Sequence, residues 1–85
     1  MRVTFKSLLG ATLEYTYNNK AERDKWFEKM SRKNGDETLY EKSFIIRDGC
    51  LYISGLGTFT FESTQEAKET WFSYLSRKHD KITGY

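Results

Sequence analysis

The sequence contains no proline, one cysteine and one histidine among its 85 residues. A single cysteine, Cys50, excludes an internal disulfide and is typical of a protein from a reducing compartment. One cysteine and one histidine also fall short of the clustered ligands that a structural metal site requires, so no metal and no cofactor is expected. The absence of proline and of low-complexity segments argues against a disordered linker.

Long hydrophobic runs are also missing. No stretch approaches the roughly 20 apolar residues of a membrane-spanning helix. Residues 1–11 begin with a positive charge, but Lys6 interrupts their apolar run, so a signal peptide is not expected. A chain of 85 residues has room for one small core. We therefore expect a single domain over residues 1–85, located in the cytoplasm.

The sequence offers no recognisable catalytic motif. A nucleophile needs an adjacent base that is itself held in place, whereas His79 falls at a predicted helix end and Cys50 in a predicted strand. Segment 55–57, Gly-Leu-Gly, joins two predicted strands, whereas phosphate-binding glycine loops lead into a helix. We therefore expect a protein that is not an enzyme.

The most distinctive feature is a repeated motif. WFEKMSRK at residues 26–33 returns as WFSYLSRK at residues 71–78, 45 positions later, whereas the preceding strands match 44 positions apart, as in Tyr15 and Phe59. Each copy is typical of an amphipathic helix with a basic carboxyl-terminal end. Two explanations stay open: a duplicated β-β-α unit, or convergence on a favourable helix sequence.

The first half of the chain predicts a hairpin and a helix. Apolar and polar residues alternate over residues 2–7 and 12–17, which indicates two half-buried strands. Asn18-Asn19 supplies a helix cap, and the helix is predicted over residues 20–33. Arg23 falls on its apolar stripe and is expected to contribute its aliphatic stem.

The dipeptide Asp48-Gly49 lies between the β-prone runs FIIR and CLYI and predicts a two-residue type I′ hairpin. This turn pairs Arg47 with Cys50 and Phe44 with Ile53. One face of the hairpin is then apolar and is assigned to the core: Phe44, Ile46, Leu51 and Ile53. The other face is half-polar and is expected to be partly exposed: Ser43, Ile45, Arg47, Cys50, Tyr52 and Ser54.

A further strand is predicted over residues 58–62. Ser63 caps the last helix, Glu66 completes a capping box, and the helix is expected to fray near His79. Trp26 of the first helix and Trp71 of the last are both expected to point inward onto the sheet. The predicted fold is α+β, with element order β-β-α-β-β-β-α and a five-stranded antiparallel sheet carrying both helices on one face.

Positive residues gather at the predicted helix ends. The formal net charge of +2 permits an anionic partner without demanding one. If the helices lie side by side, their basic ends form a paired patch that suits RNA phosphates, although the same residues also complement the helix dipoles. The predicted nucleic-acid-binding residues are Arg32, Lys33, Arg77, Lys78 and Lys81, with Lys68 and Arg47 as further members.

Residues 19–78 follow an α-β-β-β-α order that resembles a double-stranded-RNA-binding domain. In that family a glycine-rich turn precedes a helix that opens with a KKxAK-type motif. Here Gly55 and Gly57 precede the segment 64–68, in which Ala67-Lys68 matches and the two leading lysines are absent. The resemblance implies phosphate binding at the start of the last helix.

The small, proline-free, aromatic-rich chain of β-β-α units also resembles the small early proteins of bacteriophages. Many of these are inhibitors of host defence, such as anti-CRISPR proteins, antitoxin mimics and nuclease inhibitors. The resemblance implies a counter-defence role in the host cytosol. The partner is then RNA or, as the alternative, a host protein bound stoichiometrically through an exposed strand or through the half-polar face of Arg47, Cys50 and Tyr52. A homodimer is expected from the 16% aromatic content.

Overall fold

The computed structural model describes residues 1–34 and 39–82, with all their side chains except those of residues 79–82. The order of elements is the predicted β-β-α-β-β-β-α, with one added turn of 3-10 helix. The elements are β1 (Arg2–Ser7), β2 (Thr12–Thr16), α1 (Lys20–Asn34), the 3-10 turn (Leu39–Glu41), β3 (Phe44–Arg47), β4 (Cys50–Ile53), β5 (Gly57–Thr60) and α2 (Thr64–Ile82). The last helix therefore continues past the predicted end near His79.

The strands form one five-stranded antiparallel sheet in the order β2-β1-β5-β4-β3. The rings of Trp26 and Phe27 on α1 lie 6.1 and 4.7 Å from the ring of Phe59 on β5. Trp71 on α2 lies 5.2 Å from Phe44 on β3. Phe59 and Phe44 project from the same face of the sheet. The predicted α+β fold, with both helices on one face, is confirmed.

The β3–β4 hairpin has the predicted turn and register. Asp48 and Gly49 have φ values of 51° and 80°, as a type I′ turn requires, and Arg47 pairs with Cys50. Leu51 and Ile53 are fully buried, as predicted. Phe44 differs, because 39% of its surface is exposed. It lies on the terminal strand of the sheet, where the covering layer ends.

Both helices begin at side-chain caps that lie 44 positions apart. The Asn19 side chain accepts the Glu22 N–H at 2.9 Å, and the Ser63 hydroxyl accepts the Glu66 N–H at 3.1 Å. Of the predicted capping box, the bond to the Ser63 hydroxyl is present and the reciprocal bond from the Ser63 N–H to Glu66 is not. The Glu66 carboxylate instead accepts a hydrogen bond from Arg23 on the other helix.

The helices are equivalent at an offset of 44 rather than 45. Phe27 and Trp71 are both fully buried and lie 44 positions apart, whereas Phe72, the sequence counterpart of Phe27, is 50% exposed. One residue of offset turns a side chain by about 100° around a helix. The β-β-α architecture is thus repeated, but the identical residues of the two motifs face different directions.

Arg23 is the main departure of α1 from its predicted pattern. The whole side chain is buried at 2% exposure, not only its aliphatic stem. Its guanidinium contacts Asp24 at 3.0 Å and Glu69 at 3.5 Å, and it forms an ion pair with Glu66. A buried cation needs such partners because desolvation otherwise disfavours its charge. The cluster ties the beginning of α1 to the beginning of α2.

Candidate functional site

The predicted RNA site depended on free positive charges at the ends of both helices. The helices run side by side in the same direction, since Arg23 pairs with Glu66 near their beginnings and Glu28 pairs with Lys78 further along. The basic end of α2 is therefore brought alongside α1. It meets carboxylates there.

Arg77 and Lys78 form ion pairs with α1. The Lys78 ammonium lies 3.1 Å from the Glu28 carboxylate, and the Arg77 guanidinium lies 3.4 Å from Glu28 and 3.8 Å from Asp24. Arg77 also donates to the Ser73 hydroxyl at 2.7 Å, and Ser73 donates to Asp24 at 3.2 Å. These contacts connect the two helices, and each of the two cations is ion-paired with a carboxylate.

The pKa of Glu28 reflects this pairing. Burial favours the protonated carboxyl, but the hydrogen bond from Lys78 and the charges of Lys78, Arg77 and Arg32 outweigh burial and hold the pKa below its ordinary value. Glu28 is therefore ionised at neutral pH. Arg77 and Lys78 are explained by helix–helix attachment without any ligand.

The remaining predicted residues are distributed over α1, α2 and β3, and Arg32 acts on the same carboxylate, Glu28, as Arg77 and Lys78. Arg32 and Lys33 are exposed in the last turn of α1, and Lys68 is exposed on the first half of α2. The side chain of Lys81 lies outside the described residues. Arg47 is exposed beside the Asp48-Gly49 turn.

Arg47 lies at the other end of α2 from Arg77. The Gly49 N–H donates to the Thr64 hydroxyl at 2.9 Å, which places the β3–β4 turn at the amino-terminal end of α2. Arg77 follows Thr64 by 13 residues, about 20 Å at 1.5 Å per residue. A single paired patch containing both cations is not present.

A different basic surface lies along α1. We call Lys25, Lys29, Arg32 and Lys33 the α1 cationic face; with Glu28 they line an open depression of about 520 Å³. None of the four forms an ion pair with another described residue, although the charge of Arg32 reaches Glu28. Sequence reasoning found the last two residues and missed Lys25 and Lys29, which recur at helical spacing on the same face.

An apolar surface lies at the end of the sheet formed by β3. We call Phe44, Ile45, Tyr52 and Phe72 the β3 apolar edge. Ile45 is 60% exposed, and Tyr52 pairs with it across the hairpin on the face turned away from the helices. On the opposite face, the ring of Phe72 lies 6.1 Å from that of Phe44. Exposed apolar side chains therefore flank both sides of one terminal strand.

β3 is also a terminal strand of the sheet. Within residues 1–34 and 39–82, β4 is the only strand that pairs with β3. Terminal strands present a row of hydrogen-bonding groups that other chains can pair with, and natural proteins usually protect them with charges or bulges. In β3, residues Phe44 to Ile46 carry no charge. Exposure of Ile45 and Tyr52 was predicted from the sequence, whereas exposure of Phe44 and Phe72 was not.

Two further observations concern other kinds of site. In the described part of the chain, no three His, Cys, Asp or Glu side chains are grouped so that they could hold a metal ion. Among the described helices, neither combines the length and apolar character needed to cross a bilayer. The arrangement offers surfaces for binding, namely the α1 cationic face and the β3 apolar edge.

Comparison with known proteins identifies no relative. No family model, no curated protein and no solved structure matches this chain. Functional inference therefore depends on the two surfaces themselves.

Proposed function

We propose that this protein is a non-enzymatic binding protein that acts by occupying the surface of a protein partner through its β3 apolar edge. The observation that carries the proposal is the exposure of Phe44, Ile45 and Phe72 around a terminal strand. Exposed apolar side chains that are grouped rather than scattered singly favour an interaction site, and these three flank the two faces of one strand. A terminal strand adds a second source of affinity, because an extended segment of the partner can extend the sheet.

The mode of action is stoichiometric occlusion. A partner strand forms main-chain hydrogen bonds along β3, while Ile45 and Tyr52 contact it on one face and Phe44 and Phe72 on the other. The proposed setting is that of a bacteriophage counter-defence inhibitor in the host cytosol, of the anti-CRISPR, antitoxin or nuclease-inhibitor type. The resemblance in size and composition supports this setting.

RNA binding through paired helix ends has less support than a protein partner. Arg77 and Lys78 are ion-paired with Asp24 and Glu28, so contact with a phosphate requires exchange of those pairs. A cation that is already neutralised releases fewer counterions from RNA, and its contribution to affinity falls accordingly.

The test is capture of partners from nuclease-treated host lysate by three immobilised forms of the protein. We expect wild type to retain a partner in equimolar amount, Ile45→Lys to lose it, and Thr12→Lys to retain it. Thr12 is the matched control because it is exposed on β2, at the other end of the sheet. Circular dichroism establishes that both variants are folded.

Equal capture by wild type and Ile45→Lys contradicts the proposal, because a charge in the middle of the edge must disrupt apolar strand pairing. Loss of capture on nuclease treatment also contradicts it, since the retained species then depends on nucleic acid.

A second candidate function, RNA binding along the α1 cationic face, is favoured by one observation. Its four cations form no ion pair with another described residue, and they span about 12 Å along the helix. Each phosphate contact makes the slope of log affinity against log salt concentration steeper by about 0.7 for a single strand and about 0.9 for a B-form duplex. Replacing Lys25 and Lys29 by alanine should reduce that slope, whereas replacing Lys6 and Lys68 should not. Equal slopes for the two double variants count against this candidate.

A further inference from the structure

We infer that the β3 strands of two copies of this chain pair antiparallel across a two-fold axis at Ile45, and that this self-pairing competes with the protein partner. The inference rests on the proposed function, because both use the same edge. It adds a regulator of that edge, namely a second copy of the chain.

The hairpin determines which main-chain groups of β3 point outward. Arg47 and Cys50 flank a two-residue turn and form a hydrogen-bonded pair. The Ser54 N–H donates to the Ser43 carbonyl at 2.9 Å. Hydrogen-bonded and non-hydrogen-bonded pairs therefore alternate along the whole strand. The main-chain groups of Ser43, Ile45 and Arg47 therefore face β4. Those of Phe44 and Ile46 face away from it.

Because only the main-chain groups of Phe44 and Ile46 face outward, one register is favoured for pairing with β3 of a second copy. When Ile45 lies opposite Ile45 of the second copy, Phe44 lies opposite Ile46 and Ile46 opposite Phe44. Each of these is a reciprocal hydrogen-bonded pair made by the outward groups of both strands. Centring the axis on Ile46 instead places Phe44 opposite Asp48, whose φ of 51° belongs to the turn. Centring it on Phe44 places Ile46 opposite Lys42, outside the strand.

The side chains suit the same register. On the face without helices, the exposed Ile45 of each copy meets the other at the axis. On the helix face, Phe44 of one copy lies beside Ile46 of the other, below the half-exposed Phe72 rings of both α2 helices. Cross-strand apolar pairs of this kind are stabilising.

The charges near the ends of the strand are also compatible. In this register Arg47 lies opposite Ser43, and Asp48 approaches Lys42, so charges of opposite sign are brought together rather than two arginines. Arg47 and Asp48 are both exposed, and the 3.8 Å ion pair that they form with each other lies in solvent. Pairing would join two sheets into one continuous sheet and cover the exposed apolar side chains of both copies.

Register-specific disulfide formation tests the inference. In a Cys50→Ser background, Ile45→Cys places two thiols on a non-hydrogen-bonded pair, with Cα atoms about 4.5 Å apart. That separation lies within the range of about 4.4–6.8 Å that a disulfide allows. Arg47→Cys is the matched control on the same strand and face. Its two copies lie four positions out of register, roughly 13 Å apart along the strand.

We expect mild oxidation to convert the Ile45→Cys protein into a covalent dimer of twice the mass and to leave the Arg47→Cys protein monomeric. We also expect wild type to change from monomer to dimer with rising concentration in light scattering. The covalent dimer should capture less partner than the same Ile45→Cys protein kept reduced. Equal cross-linking of the two variants, or equal capture by the covalent dimer and the reduced protein, would overturn the inference.

Failure of this inference is distinguishable from failure of the proposed function. A wild type that stays monomeric over the micromolar to millimolar range, yet captures a partner through Ile45, overturns self-pairing and leaves the proposed function standing. Cross-linking at position 45 in a protein whose partner capture is unaffected by Ile45→Lys supports the register and contradicts the proposed function.

Discussion

The two helices carry almost the same motif but use it differently. In α1, Phe27 is buried and Trp26 is half-buried, stacked 5.3 Å from Tyr15 with an interplanar angle of 4°. In α2, Trp71 is buried and Phe72 is half-exposed. The caps Asn19 and Ser63 are 44 positions apart, whereas the motifs are 45 apart. The start of each helix, not its aromatic pair, therefore determines which side chain faces the sheet.

The basic ends differ for a related reason. Asp24 and Glu28 on α1 face α2 and pair with Arg77 and Lys78, whereas Arg32 and Lys33 form no ion pair with another described residue. Identical Ser-Arg-Lys segments thus have different roles. Arg77 and Lys78 of one segment attach the helices to each other, whereas Arg32 and Lys33 of the other are exposed and its Ser31 is buried. Similar sequence does not imply a similar environment when a helix is turned by one residue.

The largest expected effect separates the two tryptophans. Trp71→Ala should reduce the free energy of unfolding by about 3–5 kcal/mol, because a fully buried aromatic side chain leaves a cavity. Trp26→Ala should cost about 1–2 kcal/mol, since Trp26 is half-buried and loses its ring contacts with Tyr15 and Phe59. Urea unfolding of both variants measures the difference.

The phenylalanines of the two aromatic pairs provide the control, because here the larger loss of stability is expected in α1 rather than in α2. Phe27→Ala should be strongly destabilising, and Phe72→Ala should change stability by less than about 1 kcal/mol. Equal losses of stability for Trp26→Ala and Trp71→Ala, the first residues of the two aromatic pairs, would contradict the offset of 44.

The next effect concerns Arg23, which has no basic counterpart at the equivalent position, Ala67. Arg23→Ala should destabilise the protein by about 3 kcal/mol, because the partly buried Glu66 carboxylate loses its cation. Replacing Arg23 and Glu66 together by methionine should recover a large part of that loss. Chemical denaturation of the single and double variants checks the expectation, and additive losses would contradict it.

A smaller effect should appear in acid. Hydrogen bonds from Gln65 and Lys20 lower the pKa of Glu69 from 4.5 to about 2. A carboxyl whose folded pKa is depressed stabilises the folded state above its unfolded pKa, and this stabilisation is lost as pH falls. Stability should therefore decline between about pH 4.5 and 2. Glu69→Gln should make the denaturation midpoint less dependent on pH in this window, and an unchanged slope would contradict the assignment.

The smallest change in stability at neutral pH is expected for Tyr17. Its equivalent, 44 positions later in the segment between β5 and α2, is Phe61. Burial, with the nearby Glu66 charge, raises the pKa of Tyr17 from 10.0 to about 12. Because the unfolded phenol ionises first, stability should fall as pH rises from about 10 to 12. Tyr17→Phe should abolish this alkaline component while changing neutral stability little. Ultraviolet titration of the phenol provides an independent measurement of the pKa.

The features best predicted from sequence were local ones. The Asp48-Gly49 turn has one strongly preferred geometry, so both its register and the hairpin faces followed from two residues. The side-chain caps at Asn19 and Ser63 were also found correctly, because a cap acts within one turn of its own helix. The order of elements followed from alternation and helical spacing.

The candidate surfaces were predicted only in part. Exposure of Ile45 and Tyr52 was anticipated from hairpin parity, but that of Phe44 depended on β3 being the terminal strand. The RNA partner, the homodimer and the bacteriophage origin stay predictions.

The sequence by itself determined the strands, the helices and the hairpin turn, because periodicity, caps and turn chemistry act over a few neighbouring residues. Tertiary structure alone decided which cations pair with a described carboxylate and which apolar residues are covered. Whether Lys78 meets a phosphate or Glu28 depends on a residue 50 positions away. Such distant neighbours are set by how the helices pack, and no local pattern records them.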